Sequence, residues 1–161
     1  MTVPWRTRFP TGILLLLLLL ATGGAYGWSV LNRPCEAGAV QEASALLVSQ
    51  MRQYDDVYVS TAAAPSRDAI TYPITVMQQI LVDTQQVAVP HCMRAARDEL
   101  IGYMGDAINA FRAFEAQEND AAIKGWLDSS YAHVRAFRME LDAVQACAPN
   151  CFRLRDLLPS P

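Results

Sequence analysis

The chain has 161 residues, a formal net charge of −3 and 18% charged residues. Three of its 13 basic residues, Arg6, Arg8 and Arg33, precede Pro34, and all 16 acidic residues follow it. The part after Pro34 therefore sets 10 basic against 16 acidic residues, a net −6. Without a basic face, nucleic acid is excluded as a partner class, and about 130 residues beyond the leader make one domain of ordinary size.

The first element is a leader. Arg6 and Arg8 precede an uncharged stretch from Gly12 to Leu31 that opens with Ile13 and seven consecutive leucines, Leu14 to Leu20. Its 20 residues match the roughly 20 needed to cross a hydrocarbon core of about 30 Å. A retained anchor uses all of them, with residues 1–11 as a cytoplasmic flank and Trp28 near the outer boundary, where indole rings are favoured. A cleaved signal peptide uses Ile13 to Ala21 and cuts near Ala25-Tyr26-Gly27. Thr22, Gly23, Gly24 and Gly27 weaken the second half as an apolar helix, whereas Ser29, Val30 and Leu31 delay the next charge to Arg33. Either way residues 32–161 form an extracytoplasmic domain. The protein is expected to be single-pass in the cell membrane with its C-terminal domain outside, or secreted if the leader is removed. Lipidation at Cys35 is not expected, because Leu31-Asn32-Arg33-Pro34 precedes it in place of a lipid-attachment pattern.

Beyond residue 35 helical periodicity recurs four times. The first helix, about Glu36 to Val59, stacks Val40, Ala43, Leu47, Met51, Tyr54 and Tyr58 on one face by steps of three and four. Ser60 to Ser66 is a connection. A second helix, to about Val87, buries Ile70, Ile74, Met77, Leu81 and Thr84 or Val87. Pro73 fits only its first turn, so either Thr71 caps it or an earlier start is kinked.

Val89-Pro90-His91 breaks the chain before a third helix, about His91 to Gln117. Its inward positions are Met93, Ala96 or Arg97, Leu100, Met104, Ile108, Phe111 and Phe114. Gly102 and Gly105 cost helix propensity and permit a close helix contact. Asn119 or Asp120 caps a fourth helix, in which Ile123, Trp126, Leu127, Ser130, Val134, Phe137, Leu141 and Val144 repeat on one face until Pro149. The pattern predicts an all-α, up-and-down bundle of about four helices.

All four cysteines, Cys35, Cys92, Cys147 and Cys151, lie beyond the leader, in a compartment where disulfides persist. If helices three and four turn back near residues 119 and 120, Cys92 and Cys147 are equidistant from the turn and face each other across the open end. Helix one starts at that end as well, which pairs Cys35 with Cys151. These two bridges are the expected clamp of the bundle. A competing reading makes Cys147-Ala148-Pro149-Asn150-Cys151 a working dithiol, exchanging disulfides or holding a soft metal such as Cu(I). A helix C-terminus opposes a thiolate there, and Arg153 and Arg155 offset this only in part.

His91 and His133 form no ligand pattern; His91 reads as solvated or capping and His133 as lying near a helix surface. Neither a haem-attachment sequence nor a Glu-x-x-His pair is present, so no cofactor is expected, and Met51, Met77, Met93 and Met104 read as core. Asp55-Asp56, Asp98-Glu99 and the group Glu115, Glu118 and Asp120 read as solvated surface, the last a place for a partner or a weak calcium contact. Serine nucleophile elbows, zinc-protease helices and phosphate-cradling glycine loops are absent, and no enzyme activity is predicted.

Val89-Pro90-His91-Cys92 followed by Leu100, Tyr103-Met104, Ile108, Phe111 and Phe114 through Gln117-Glu118 resembles a pattern in uncharacterised exported helical proteins of bacteria, over roughly residues 70 to 145. The resemblance implies an exported helical domain and contributes no catalytic residue; Cys35 and Cys151 lie outside it. The combined reading is a binding or structural module that makes protein contacts at the cell envelope, with Tyr103, Trp126 and Tyr131 as interface candidates if exposed. A thiol-redox or metal-binding protein using Cys147 and Cys151, and a small-ligand carrier with an internal cavity, are the alternatives.

Overall fold

Four helices account for most of the fold, and their directions follow from which side chains meet. The computed structural model describes residues 35–147. Helix α1 spans Ala37–Ala62, α2 spans Thr71–Gln86, α3 spans Arg94–Glu115 and α4 spans Asp120–Cys147, with single 3-10 turns at Asp68–Ile70 and His91–Met93. Cys35 before α1 is joined to Cys92 before α3, so these two helices start at the same end. Thr71 at the start of α2 bonds Glu115 at the end of α3, and Ser129 and His133 of α4 meet Asp106 and Glu99 of α3 in reverse order. The helices thus alternate in direction, as short connections require.

The core is the stripe each helix presents. Val40, Ala43, Leu47 and Tyr54 of α1 pack against Ile74 and Met77 of α2, Leu100, Met104 and Ile108 of α3, and Phe137 of α4. Two buried threonine hydroxyls are satisfied within their own helices. Thr61 and Thr84 each donate to the carbonyl four residues back, at 2.6 and 2.8 Å, a bond that removes the cost of burying a polar atom. Tyr54 donates to the Met104 carbonyl oxygen at 2.7 Å from within the core.

Helix boundaries follow local chemistry. Pro73 lies in the first turn of α2, where its missing N–H has no partner to lose. Thr71 does not cap that helix; its hydroxyl donates to Glu115 at 2.6 Å. Asn119 accepts from the Ala122 N–H at 2.9 Å and caps α4. At the end of α3, Gln117 adopts φ 59°, and the Glu118 N–H reaches back to the Ala113 carbonyl at 2.9 Å, the closing bond of a left-handed helix stop.

The disulfide corrects the expected pairing. Cys35 bonds Cys92, with Cα atoms 6.2 Å apart, so neither Cys92–Cys147 nor Cys35–Cys151 forms. Equal distance from the α3–α4 turn assigned Cys92 to Cys147 and left Cys35 to Cys151, although the alternating directions bring Cys35 and Cys92 to the same end. The 3-10 turn at His91–Met93 then carries Cys92 up to it. Phe114 and Trp126, expected in the core, are each 40% exposed. The side chain of Cys147, all of Cys151 and the leader expected at 12–31 lie outside the described residues. Among the described residues no helix is long and apolar enough to cross a membrane.

Candidate binding cleft

At the end of the bundle away from the disulfide, α1 and α4 enclose a cleft of about 240 Å³. Tyr58, Thr61 and Ala62 come from the last turns of α1, Ile123 and Leu127 from the first turns of α4, and Ile70, Ala110, Phe111 and Phe114 also line it. The cleft exists because α1 meets α4 at few points, whereas α3 packs along most of α4. Small residues, Ala62, Ala64 and Ala110, leave the space that a larger side chain would fill.

Two aromatic contacts shape the lining. The Tyr58 ring meets Phe111 edge to face at 5.3 Å, and its hydroxyl pairs with Tyr131 of α4. Burial is the largest cause raising the Tyr58 phenol above its ordinary pKa, with Tyr131 adding to it. Phe114 is half-covered by the Arg67 guanidinium, 4.9 Å above the ring centre. The acidic surface foreseen near residue 118 is close by: Glu115 accepts from Thr71 and Asp128 pairs with Lys124, while Glu118 and Asp120 are exposed. Thr61 spends its hydroxyl on the Val57 carbonyl. The lining can therefore hold apolar groups but has few polar atoms with which to orient a reacting bond.

A second cluster lies on the α3–α4 seam. His133 Nδ1 is 2.7 Å from Glu99 Oε2 and its Nε2 is 3.5 Å from Asp106 Oδ2, and Ser129 donates to Asp106 at 2.5 Å. The two ring nitrogens face different carboxylates, so the three groups do not converge on one point. Among the described residues no group of three His, Cys, Asp or Glu side chains could hold a metal ion. The serine hydroxyl serves Asp106 and not the imidazole, so no serine–histidine nucleophile pair is formed. The cluster joins two helices.

Tyr103 is buried, its hydroxyl donating to Asp55 Oδ1 at 2.6 Å and its ring 5.4 Å from that of Tyr54. It therefore leaves the set of interface candidates, whereas Trp126 and Tyr131 stay in it, Tyr131 at 57% exposure. Glu99 and Asp106 share a face of α3 with Gly102, and Ser129 lies one turn before His133. That spacing was a signal available in the sequence, and the adjacent pair Asp98-Glu99 obscured it. His91 is exposed, as expected. Compared with known protein families, with curated proteins and with solved structures, the chain shows no match.

Proposed function

We propose that the chain is a helical binding module at the outer face of a cell membrane, working by protein contact through the α1–α4 cleft. The observation that carries this reading is the cleft itself, an apolar recess of about 240 Å³ lined by the exposed Phe114 and by Ile123 and Leu127 of α4, the helix that also carries the exposed Trp126 and Tyr131. Exposed aromatic side chains beside an apolar recess are the residue types enriched at interface centres. Acidic residues near the recess, together with a net −6 beyond Pro34, favour an apolar segment flanked by basic residues as the partner. The outer-face placement rests on the leader, with Gly12 to Leu31 as anchor or signal; a disulfide immediately after it suits an oxidising compartment.

The test is binding of a synthetic amphipathic leucine–lysine helix to the full chain in detergent micelles, followed by calorimetry. Binding that is lost in Leu127→Glu and in Ile123→Glu supports the reading. Binding indifferent to both substitutions, or equal binding of a leucine–glutamate helix, refutes it.

One observation favours a second reading. With Cys35 and Cys92 joined, Cys147 and Cys151 have lost the partners expected for them, and a thiol or metal role for that pair is the second reading. Titration of thiols in the native protein before and after mild reduction decides it: Cys147 and Cys151 thiols that are free, or that appear without unfolding, support that role, and a pair that resists mild reduction removes it.

A further inference from the structure

The Cys35–Cys92 bridge has the surroundings that make a disulfide exchangeable. Cys92 lies in the 3-10 turn that leads directly into α3, a helix start where oriented N–H groups favour negative charge. Its own backbone N–H donates to Cys35 Sγ at 3.2 Å. The imidazole of His91, exposed to solvent, lies 3.6 Å from the same sulfur through both Nδ1 and Nε2. A helix start, a backbone donor and a histidine therefore gather at one sulfur atom, and each stabilises a thiolate there. The two residues differ in exposure: Cys35 is buried and Cys92 is half-buried.

We infer that this bridge is a redox-exchangeable site that accepts electrons from an external dithiol, with Cys92 as the attacked sulfur and Cys35 as the leaving group. In the first step a thiolate of the dithiol bonds Cys92 Sγ, the Cys35–Cys92 bond breaks, and its electron pair stays on Cys35 Sγ beside His91 and the Cys92 N–H. In the second step the other thiolate of the dithiol attacks its own sulfur in the mixed disulfide. Cys92 is expelled as a thiolate and takes a proton from water. The dithiol ends as a disulfide, two electrons having passed to the cysteine pair. A leaving thiolate that is stabilised by neighbouring donors departs faster, which is the contribution of His91 beside Cys35 Sγ. Opening the bridge releases the start of α1 from the start of α3, while the core residues from Val40 onward still hold both helices. This site is separate from the α1–α4 cleft and does not depend on the binding reading.

The experiment is reduction of the full chain by dithiothreitol in detergent without denaturant, with thiols alkylated at timed intervals and read peptide by peptide, so that Cys35 and Cys92 are scored apart from Cys147 and Cys151. Wild type is expected to open while its far-ultraviolet circular dichroism is unchanged. His91→Ala is expected to slow opening on the order of fivefold through the loss of leaving-group stabilisation, and His91→Lys, which places an N–H donor at the same position, is expected to recover most of that rate. A bridge that opens only in denaturant overturns the inference. So does a His91→Ala variant that opens as fast as wild type, or equal slowing in His91→Ala and His91→Lys.

Discussion

His133 lies across Gly102 so closely that a Cβ built at position 102 meets ring atoms of His133 at 2.7 to 2.9 Å. The contact includes Cγ, next to the backbone, and the ring is held between Glu99 and Asp106, so it cannot swing aside without losing both partners. Gly102→Ala therefore sets an overpacking cost of about 1–3 kcal/mol against a helix-propensity gain of about 1 kcal/mol, and a net loss is expected by urea denaturation. Gly105 has nothing within 4 Å of its Cβ direction, so Gly105→Ala is expected to stabilise by about 0.5–1 kcal/mol. In a His133→Ala background Gly102→Ala should change sign and become stabilising. A Gly102→Ala variant that is stabilised with His133 in place would remove the clasp.

The helical stripes were legible because burial imposes a period on sequence. Val40, Leu47, Tyr54, Ile74, Met77, Leu100, Met104 and Phe137 were expected inward and are buried. Phe114 and Trp126 fit the same period yet stay exposed, because both lie where α1 and α4 have separated, and periodicity along one helix carries no record of where its neighbour ends. The cleft was illegible for that reason. The disulfide was misread for another: distance from a turn ranks positions along one helix pair, whereas the bridge joins the starts of two helices that do not follow each other in the chain.

Gln117 holds φ 59° at the stop after α3. A side chain in that region costs roughly 1–2 kcal/mol, and glycine there returns about 0.5–1 kcal/mol of that through the greater freedom of the unfolded chain. Gln117→Gly is expected to raise stability by about 0.5–1 kcal/mol, measured by thermal or urea unfolding, with the α3–α4 turn unchanged. Destabilisation would mean that the Gln117 side chain contributes more than its backbone costs.

Tyr54 and Tyr103 give the fold an alkaline limit. Burial first, then neighbouring phenols and Asp55, push both hydroxyls far above their ordinary value of 10.0; for Tyr103 the hydrogen bond to Asp55 adds to burial. Below pH 10 both states keep the proton and stability is independent of these groups. Above it the unfolded chain releases protons that the folded chain retains, so the unfolded state binds fewer and stability falls as pH rises. Each tyrosine contributes a slope of about 1.4 kcal/mol per pH unit. Ultraviolet titration should show two tyrosines that ionise only as the helices unfold. In Tyr54→Phe the slope should fall by about 1.4 kcal/mol per pH unit. Free ionisation of both near pH 10 in the folded protein would contradict their burial.

The Cys35–Cys92 bridge closes a loop with a sequence separation of 57. On the chain-entropy account a loop of that size contributes roughly 4 kcal/mol, by restricting the unfolded chain. The double variant Cys35→Ser with Cys92→Ser is expected to lose about that much in urea unfolding while keeping its helical spectrum, since the stripes from Val40 to Phe137 are untouched. Non-reducing peptide mapping of wild type should return Cys35 linked to Cys92. A Cys92–Cys147 peptide would return the bundle to the pairing that distance from the turn had suggested, with no covalent bond between the start of α1 and the start of α3.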